Sequence, residues 1–342
     1  MPSRLRPPIE PMEALSVAEI PTGPDWQYEP KWDGFRCLIF RDGRNVTLQS
    51  KAGRSLNRYF PEIVDAALAL DETRFVIDGE LVVPSGRQLS FDDLLQRIHP
   101  AASRVKMLAE ATPALFIAFD LLALGADMLL RRALTERRKQ LERFARGTFR
   151  RGGRFRLSPA THRVADARGW LKRAGGTLDG IIAKRRDLDY RAGQRDGVQK
   201  IKNYRSADCV VGGFRYNEGR KVVGSLLLGF YDDQGLLDHV GFTSSIREHD
   251  KKALTARLRP LIAPPGFTGA KPGGPSRWST ARSSAWTPLK PKLVIEVCYD
   301  HFSGGRFRHG TRFLRWRPDK APRQCTFDQL RQVKGNLIAL LR

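Results

Sequence analysis

The sequence predicts an α+β protein of two domains, and three features predict it. At 342 residues the chain can fill two separate cores. From residue 29 to residue 202, apolar runs of strand length alternate with stretches of helical period. After Tyr204 the texture changes to short strands across Gly- and Asp-rich turns, with one helical stretch among them, as in a small β-barrel. The first domain is therefore expected over residues 1–205, as antiparallel sheets with helices, and the barrel domain over residues 206–342.

In order along the chain, Pro2, Pro7, Pro8, Pro11, Pro21 and Pro24 give the first 28 residues an extended path around the first domain. Phe35 to Phe40 is an apolar strand, Asp42-Gly43 a hairpin turn and Val46 to Leu48 the return strand. Pro61 opens a helix with Ile63, Val64, Ala67 and Leu68 on one face. Phe75 to Val83 is a strand interrupted by Asp78-Gly79-Glu80, and Ser90 with Asp93 caps a short helix. Leu115 to Leu122 reads as a buried strand, and Leu130, Leu134 and Leu141 mark a basic amphipathic helix. A helical patch surrounds Trp170. Strands follow at Gly180 to Lys184, with an acid before it, and at Lys200 to Lys202, with both lysines on one face. In the second domain, strands are expected at 209–214, 225–231, 237–242 and 293–299, a helix over 247–262 with Ala253, Leu254 and Leu258 inward, and a Gly/Pro/Ser-rich loop over 263–284. Thr326 and Gln329 form a capping box for a closing helix carrying Phe327, Leu330, Val333 and Leu337. The OB class is one candidate for this barrel.

Charge narrows the function. Sixty Lys+Arg against 36 Asp+Glu leave +24, which points to a polyanionic partner and to nucleic acid first. Four scattered cysteines, Cys37, Cys209, Cys298 and Cys325, with no C-x-x-C pair, argue against a zinc site and a disulfide framework. The N-terminus has no apolar signal region and no stretch reaches membrane-spanning length, so a soluble, cytoplasmic protein is expected.

The chemistry gathers in the first domain. Lys31, in Glu29-Pro30-Lys31-Trp32-Asp33-Gly34-Phe35-Arg36, stands where the chain enters a sheet; a lysine there is a nucleophile when neutral. Glu80 and Asp179 are acids on apolar strands, and Phe119 is a ring beside the strand carboxylate Asp120. Arg36, Lys51, Lys184, Arg195, Lys200 and Lys202 are cations along the same segment. Each has an ordinary structural explanation when taken singly. Together, acids for a metal, cations for phosphates and a ring for a base suit a nucleotide with Mg²⁺.

In their fixed order these motifs resemble the ATP-dependent DNA ligases of the covalent nucleotidyltransferase superfamily, most closely the small actinobacterial ligase C type. The similarity runs from about Pro8 to about Leu330, through EPKWDGFR, SKAGRSLNRYFPEI, VIDGEL, FIAFDLL, LDGIIAKR, QKIK and FLRWRPDK. It implies a nucleotidyltransferase (adenylation) domain of antiparallel sheets with helices, followed by an OB-fold barrel. It implies that Lys31 attacks the α-phosphate of ATP and carries AMP, that Glu29 reads the adenine and that Phe119 stacks on it. It implies Arg36 at the ribose, Glu80 and Asp179 on Mg²⁺ (Mn²⁺ being the alternative), and Lys51, Lys184, Arg195, Lys200 and Lys202 on phosphates. Arg317, Asp319 and Lys320 would orient pyrophosphate, and the barrel domain would swing about a hinge near Tyr204-Arg205. Arg306, Arg308, Arg312 and Arg315, interleaved with Phe307, Phe313 and Trp316, would track the phosphates of nicked duplex DNA.

The sequence departs from the family's pattern in three places: Lys51 stands at a usual arginine, Asp179 at a commoner glutamate and Val198 where many relatives carry tryptophan. The expected activity is nick sealing in DNA repair by a monomer, with a repair polymerase as a candidate partner and no further polymerase, nuclease or DNA-binding module. An RNA ligase or GTP-using capping-type transferase is the nearest enzyme alternative, and a non-catalytic basic nucleic-acid-binding protein the alternative of another class. A missing cysteine-rich zinc module argues against NAD⁺ as the AMP donor.

Overall fold

The computed structural model describes residues 5–174, 177–273, 285–330 and 335–341. The chain divides into two compact units, one of Met1–Asn203 with Gln332–Arg342 and one of Tyr204–Arg331.

The first unit holds two sheets. In the larger, the strands Phe155–Leu157, Leu115–Leu124, Arg74–Val82, Phe35–Asp42 and Asn45–Ser50 lie side by side in that order, and Asp127–Met128 pairs with Leu115–Leu124. The period of two sorts their side chains. Cys37, Ile39, Ile77 and Leu81 point into a core filled by Phe60, Ile63, Leu141 and Phe144. Leu38, Phe40 and Val76 point the other way, onto Met12, Leu122 and Tyr190. The smaller sheet runs Leu15–Ser16, Val198–Lys202, Gly180–Arg185, Trp26–Pro30. Its Tyr28, Ile181, Ala183 and Ile201 are buried against Trp170, Val82 and Ile117.

The helices begin where the sequence signals them. Pro61 occupies the first turn of Pro61–Leu68. The Ser90 hydroxyl accepts the Asp93 N–H at 3.2 Å and caps Phe91–Gln96. Leu134–Thr148 buries Leu141 and Phe144; Leu130, expected within it, precedes its first residue. The hairpin after Phe35–Asp42 turns at Gly43-Arg44, because Asp42 still pairs with Asn45, one residue later than the Asp42-Gly43 expectation.

The second unit is an OB-type barrel. Its strands lie in the order Leu237–Thr243, Val223–Tyr231, Arg205–Tyr216, Val294–Tyr299, Arg312–Trp316, with Thr287–Pro288 also on Arg205–Tyr216. A bridge between Thr243 and Thr311 closes it, reinforced by Thr243 Oγ1 donating to Thr311 O at 2.9 Å. The helix Lys251–Leu258 lies between the third and fourth main strands and buries Leu258, while Ala253, expected inward, is exposed.

The closing segment departs from expectation. Among the described residues the expected helix from Phe327 to Leu337 is not found: Phe327–Leu330 is a 3₁₀ turn, and Gly335 and Asn336 are in no helix. The Gln329 side chain does not cap it; it exchanges hydrogen bonds of 2.9 Å each with the backbone N–H and C=O of Asp208. Leu337 and Leu341 are buried in the first unit beside Trp170 and Ile181, and the Leu337 N–H donates to Arg87 O at 2.9 Å. The tail therefore leaves the barrel that was expected to hold all of 206–342, because its apolar side chains fill the core under the smaller sheet. Pro2, Val333 and much of the expected 263–284 loop lie outside the described residues.

Candidate active site

The two sheets of the first unit enclose a cavity of about 230 Å³. Register decides what faces it. In the smaller sheet Glu29, Ile182 and Lys200 are aligned, as are Gln27, Lys184 and Val198. In the larger sheet Arg36 is opposite Glu80, and Leu38 opposite Asp78. Alternation thus puts Arg36, Asp78 and Glu80 on the face shared with Leu38, and Glu29, Lys184 and Lys200 on one face of the smaller sheet, so residues far apart in sequence meet across the cavity.

Lys31 sits between the sheets, one residue past Trp26–Pro30 and four before Phe35–Asp42. Its N–H donates to Gly180 O at 2.9 Å, and the next residue, buried Trp32, anchors its indole on Ser158 Oγ at 3.0 Å. Two glycines let the backbone come this close. A Cβ at Gly34 would lie 2.2 Å from Leu81 O, and one at Gly180, where φ is 148°, only 1.9 Å from Ile201 O. The Lys31 ammonium donates to Asp179 Oδ2. Glu80, Lys51, Lys200, Lys184, Glu29, Arg36 and Phe119 line the same cavity.

Each of these side chains is held. Glu29 is buried and accepts from Lys184 Nζ at 2.8 Å and from Gln27 Nε2 at 2.9 Å. The Phe119 ring lies 4.6 Å from the Arg36 guanidinium carbon and 4.5 Å from Lys184 Nζ, and Lys184 also donates to Phe119 O at 3.2 Å. Arg36 forks onto Asp78 at 2.6 and 2.5 Å, and the Tyr190 hydroxyl donates to Asp78 at 2.6 Å. Behind Phe119, Arg137 forks onto Asp120 at 2.8 and 2.9 Å. Lys51 and Arg195 both reach one carboxylate, Glu13, at 2.7 and 2.6 Å. Lys202 is on the Lys200 face, opposite Gly180 in register.

The charges perturb one another. Burial pushes the Glu80 carboxyl up to about 8, against the opposing pull of Arg36 and Lys31. Burial alone would depress the Arg36 guanidinium, but Asp78 beside it raises it overall. Burial also works against the charge of Asp120, yet Arg137 holds it below the usual carboxylate range. Lys51 and Arg195 hold Glu13 down at about 2. Partial burial depresses the Lys200 ammonium, and Lys202, Lys31, Lys51 and Arg195 add to that by repulsion. A cavity whose cations repel one another is built to receive an anion.

In the second unit, Arg317 forks onto Asp319 at 3.0 and 2.8 Å and reaches Asp208 at 2.7 Å, and Lys320 is 3.5 Å from the same Asp208. Asp319 is held at about 2 by Arg317. The Arg-Pro-Asp-Lys turn is thus pinned to the barrel's first strand. Arg306 reaches His239 Nδ1 at 2.8 Å and Arg315 reaches Glu296 at 2.7 Å. Arg312 lies 3.7 Å from Cys298 Sγ, and the Arg308 N–H donates to His301 O at 3.0 Å. On this stretch Phe307 is buried and Phe313 and Trp316 pack on the core, while Arg306, Arg312 and Arg315 are exposed.

Sequence reasoning missed Glu13, Gln27, Asp78, Arg137 and Tyr190. Gln27 had a signal, its place two residues before Glu29 on the same strand face. Glu13 had none, because its partners are fixed only by the fold.

The family described as ATP dependent DNA ligase domain matches residues 11–202, and the ATP dependent DNA ligase C terminal region matches residues 219–320. The chain is 47% identical to DNA ligase C2 of Mycolicibacterium smegmatis over 340 residues, 95% of this chain and 94% of that protein. It is 44% identical to DNA ligase C of Mycobacterium tuberculosis over 339 residues, with 95% and 94% covered. Among solved structures, mycobacterial DNA ligase D complexed with ATP and MES matches with a TM-score of 0.50 at 29% identity, over 93% of this chain and 98% of that one. Two ligase regions in order, and relatives of the same length at this identity, leave one assignment: the chain belongs to the ATP-dependent DNA ligases.

Proposed function

We propose that the chain seals 5′-phosphate/3′-OH nicks in duplex DNA, in repair, through AMP carried on Lys31. The observation that carries this is Lys31 itself: a lysine on a rigid junction between two sheets, facing a cavity ringed by phosphate-binding cations. The Lys31 amine leaves Asp179, gives up a proton and attacks the α-phosphate of ATP. A nitrogen–phosphorus bond forms, the bond to the β-phosphate oxygen breaks and pyrophosphate departs. AMP then passes to the 5′-phosphate of a nick; the neighbouring 3′-OH attacks that phosphate, and AMP leaves.

The cations act on charge that builds on phosphate oxygens; each well-placed donor contributes on the order of 10²–10³ in rate. Lys184 and Gln27 fix the Glu29 carboxylate for the base, and Phe119 gives it an apolar face. Lys51, Arg195, Lys200 and Lys202 take the phosphates, Arg36 the ribose, and Arg317, Asp319 and Lys320 the pyrophosphate. Glu80 and Asp179 are the acids that would hold a divalent cation: burial opposes charging of Glu80, and a cation beside it would favour the charged form, while Asp179 takes the Lys31 ammonium. Mg²⁺, or Mn²⁺ as the alternative, would neutralise phosphate charge there. We read the working form as a monomer, its basic surface being accounted for by DNA, with a repair polymerase as a candidate partner.

The test is to incubate the protein with Mg²⁺ and α-³²P-ATP beside Lys31→Ala. The parent should take up label, lose it to nicked DNA, and take none from α-³²P-GTP; Lys31→Ala should stay unlabelled. An unlabelled parent, after pyrophosphate pretreatment to strip any AMP, overturns the proposal, and discharge to nicked RNA in preference to nicked DNA replaces it with an RNA ligase.

A further inference from the structure

Lys51 and Arg195 are two of the cations assigned to the phosphates, and in this structure a single side chain spans both. Glu13 Oε1 is 2.7 Å from Lys51 Nζ, and Oε2 is 2.6 Å from Arg195 Nε. The two cations are otherwise well exposed, at 64% and 66%, while Glu13 is tucked in at 22% and lines the cavity that holds Lys31. Two oxygens on one centre, bridging two cations, is the arrangement a phosphate would adopt. The segment that carries Glu13 is firmly tied: its N–H donates to Gln194 O at 2.8 Å, and Leu15–Ser16 pairs with Gln199 and Lys200 in the smaller sheet. The carboxylate is therefore held two residues before a strand paired beside Lys200, not on a loose end.

We propose that Glu13 is an internal competitor for the polyphosphate: it yields Lys51 and Arg195 to incoming ATP and retakes them as pyrophosphate leaves. This rests on the ligase reading above and deepens it. Its consequence is directional. Reversal of the first step needs a pyrophosphate oxygen to attack the AMP phosphorus, breaking the nitrogen–phosphorus bond so that ATP reforms and Lys31 recovers a proton. A carboxylate that recaptures two of the pyrophosphate ligands opposes that return. Being held at about 2, Glu13 stays charged at any working pH, so the competition is not switched off by pH.

The experiment is Glu13→Gln, which keeps the shape and removes the charge. Inorganic pyrophosphate with Mg²⁺ is titrated into the parent and the variant by calorimetry, and ATP formation from the adenylated proteins is followed against pyrophosphate concentration. Pyrophosphate should bind the variant about tenfold more tightly, a modest factor because both cations are exposed and screened. ATP formation should reach half-maximum at correspondingly lower pyrophosphate. Unchanged or weaker pyrophosphate binding overturns the proposal; weaker binding would make Glu13 a residue that only holds the cations in place. If Glu13→Gln does not fold, Glu13→Asp keeps the charge on a shorter arm that cannot bridge both cations, and it too should bind pyrophosphate more tightly. Label uptake is scored on the same samples: a parent that never labels fails the ligase reading, whereas a parent that labels while the variant binds pyrophosphate like it fails only the role of Glu13.

Discussion

At the scale of single residues, the site separates groups that a motif announces from groups that only pairing reveals. Glu29, Glu80 and Lys184 stand out in the sequence because each breaks an apolar strand with a charge, and Lys31 because it sits in a Lys-Trp-Asp-Gly junction between two strands; register and that junction bring all four to one cavity. Asp78 sits in the same Asp-Gly-Glu run as Glu80, but its role depends on Tyr190, 112 positions away. No local pattern encodes that distance. The second unit has a residue of the same hidden kind. His239 is 4% exposed, with Arg306 at 2.8 Å from Nδ1 and the Phe267 ring edge-on at 5.3 Å. Burial, then the charges of Arg306 and Arg215, push its imidazole from 6.5 down to about 3. The folded chain therefore binds fewer protons than the unfolded chain between those two values. The stability from this residue is intact above 6.5 and is lost as pH falls toward 3, at about 1.4 kcal/mol per pH unit. His239→Gln keeps an acceptor for Arg306 and removes the titration. Unfolding free energies from denaturant titration at pH 7.5 and 5.5 should differ less in the variant than in the parent, by about 1 kcal/mol. Equal differences in the two proteins would mean His239 is not the buried neutral base described.

At the scale of elements, legibility follows how local the signal is. Pro61 and Ser90 start their helices because a missing N–H and a capping hydroxyl act within one turn. The strand Leu115–Leu124 is a run of apolar residues, and sequence reading places it with a small error at its end. The closing helix fails for the opposite reason. Gln329 has the right spacing from Thr326, but both ends of its amide are taken by Asp208, which is distant in sequence. Beyond it, Leu337 and Leu341, the latter in the 3₁₀ turn Ile338–Leu341, are buried beside Trp170 and Ile181 in the first unit. That makes the tail a structural part of the first unit. Truncating a buried leucine costs about 2–5 kcal/mol, so Leu337→Ala should cost about 2–5 kcal/mol. Hydrogen exchange should show the loss in Val164–Arg173 and Gly180–Arg185, with the barrel strands protected as before. Exchange that rises in Arg205–Tyr216 instead would assign the tail to the other unit.

At the scale of the whole molecule, the net charge of +24 acts through long-range attraction, and that attraction has a measurable exponent. Each phosphate neutralised on duplex DNA contributes about −0.9 to the slope of log K against log salt. Arg306, Arg312 and Arg315 are exposed on the barrel, and Arg308 is half-buried beside them, while Phe307, Phe313 and Trp316 turn to the core. This stretch therefore shows the duplex charge on its outer side and no pattern of amides that would read bases. Arg315 reaches Glu296 and Arg306 reaches His239, contacts that would be exchanged for phosphates if these arginines meet the duplex. If all four arginines meet phosphates, changing them together to alanine should reduce the slope by about 3–4 in magnitude and weaken binding to nicks of every sequence alike. Binding of nicked duplexes of two unrelated sequences, measured from low to moderate salt, decides it. A slope equal to the parent's would place the duplex on another basic surface. A loss confined to one sequence would mean that these arginines read bases, which would contradict an enzyme whose substrate is any nick.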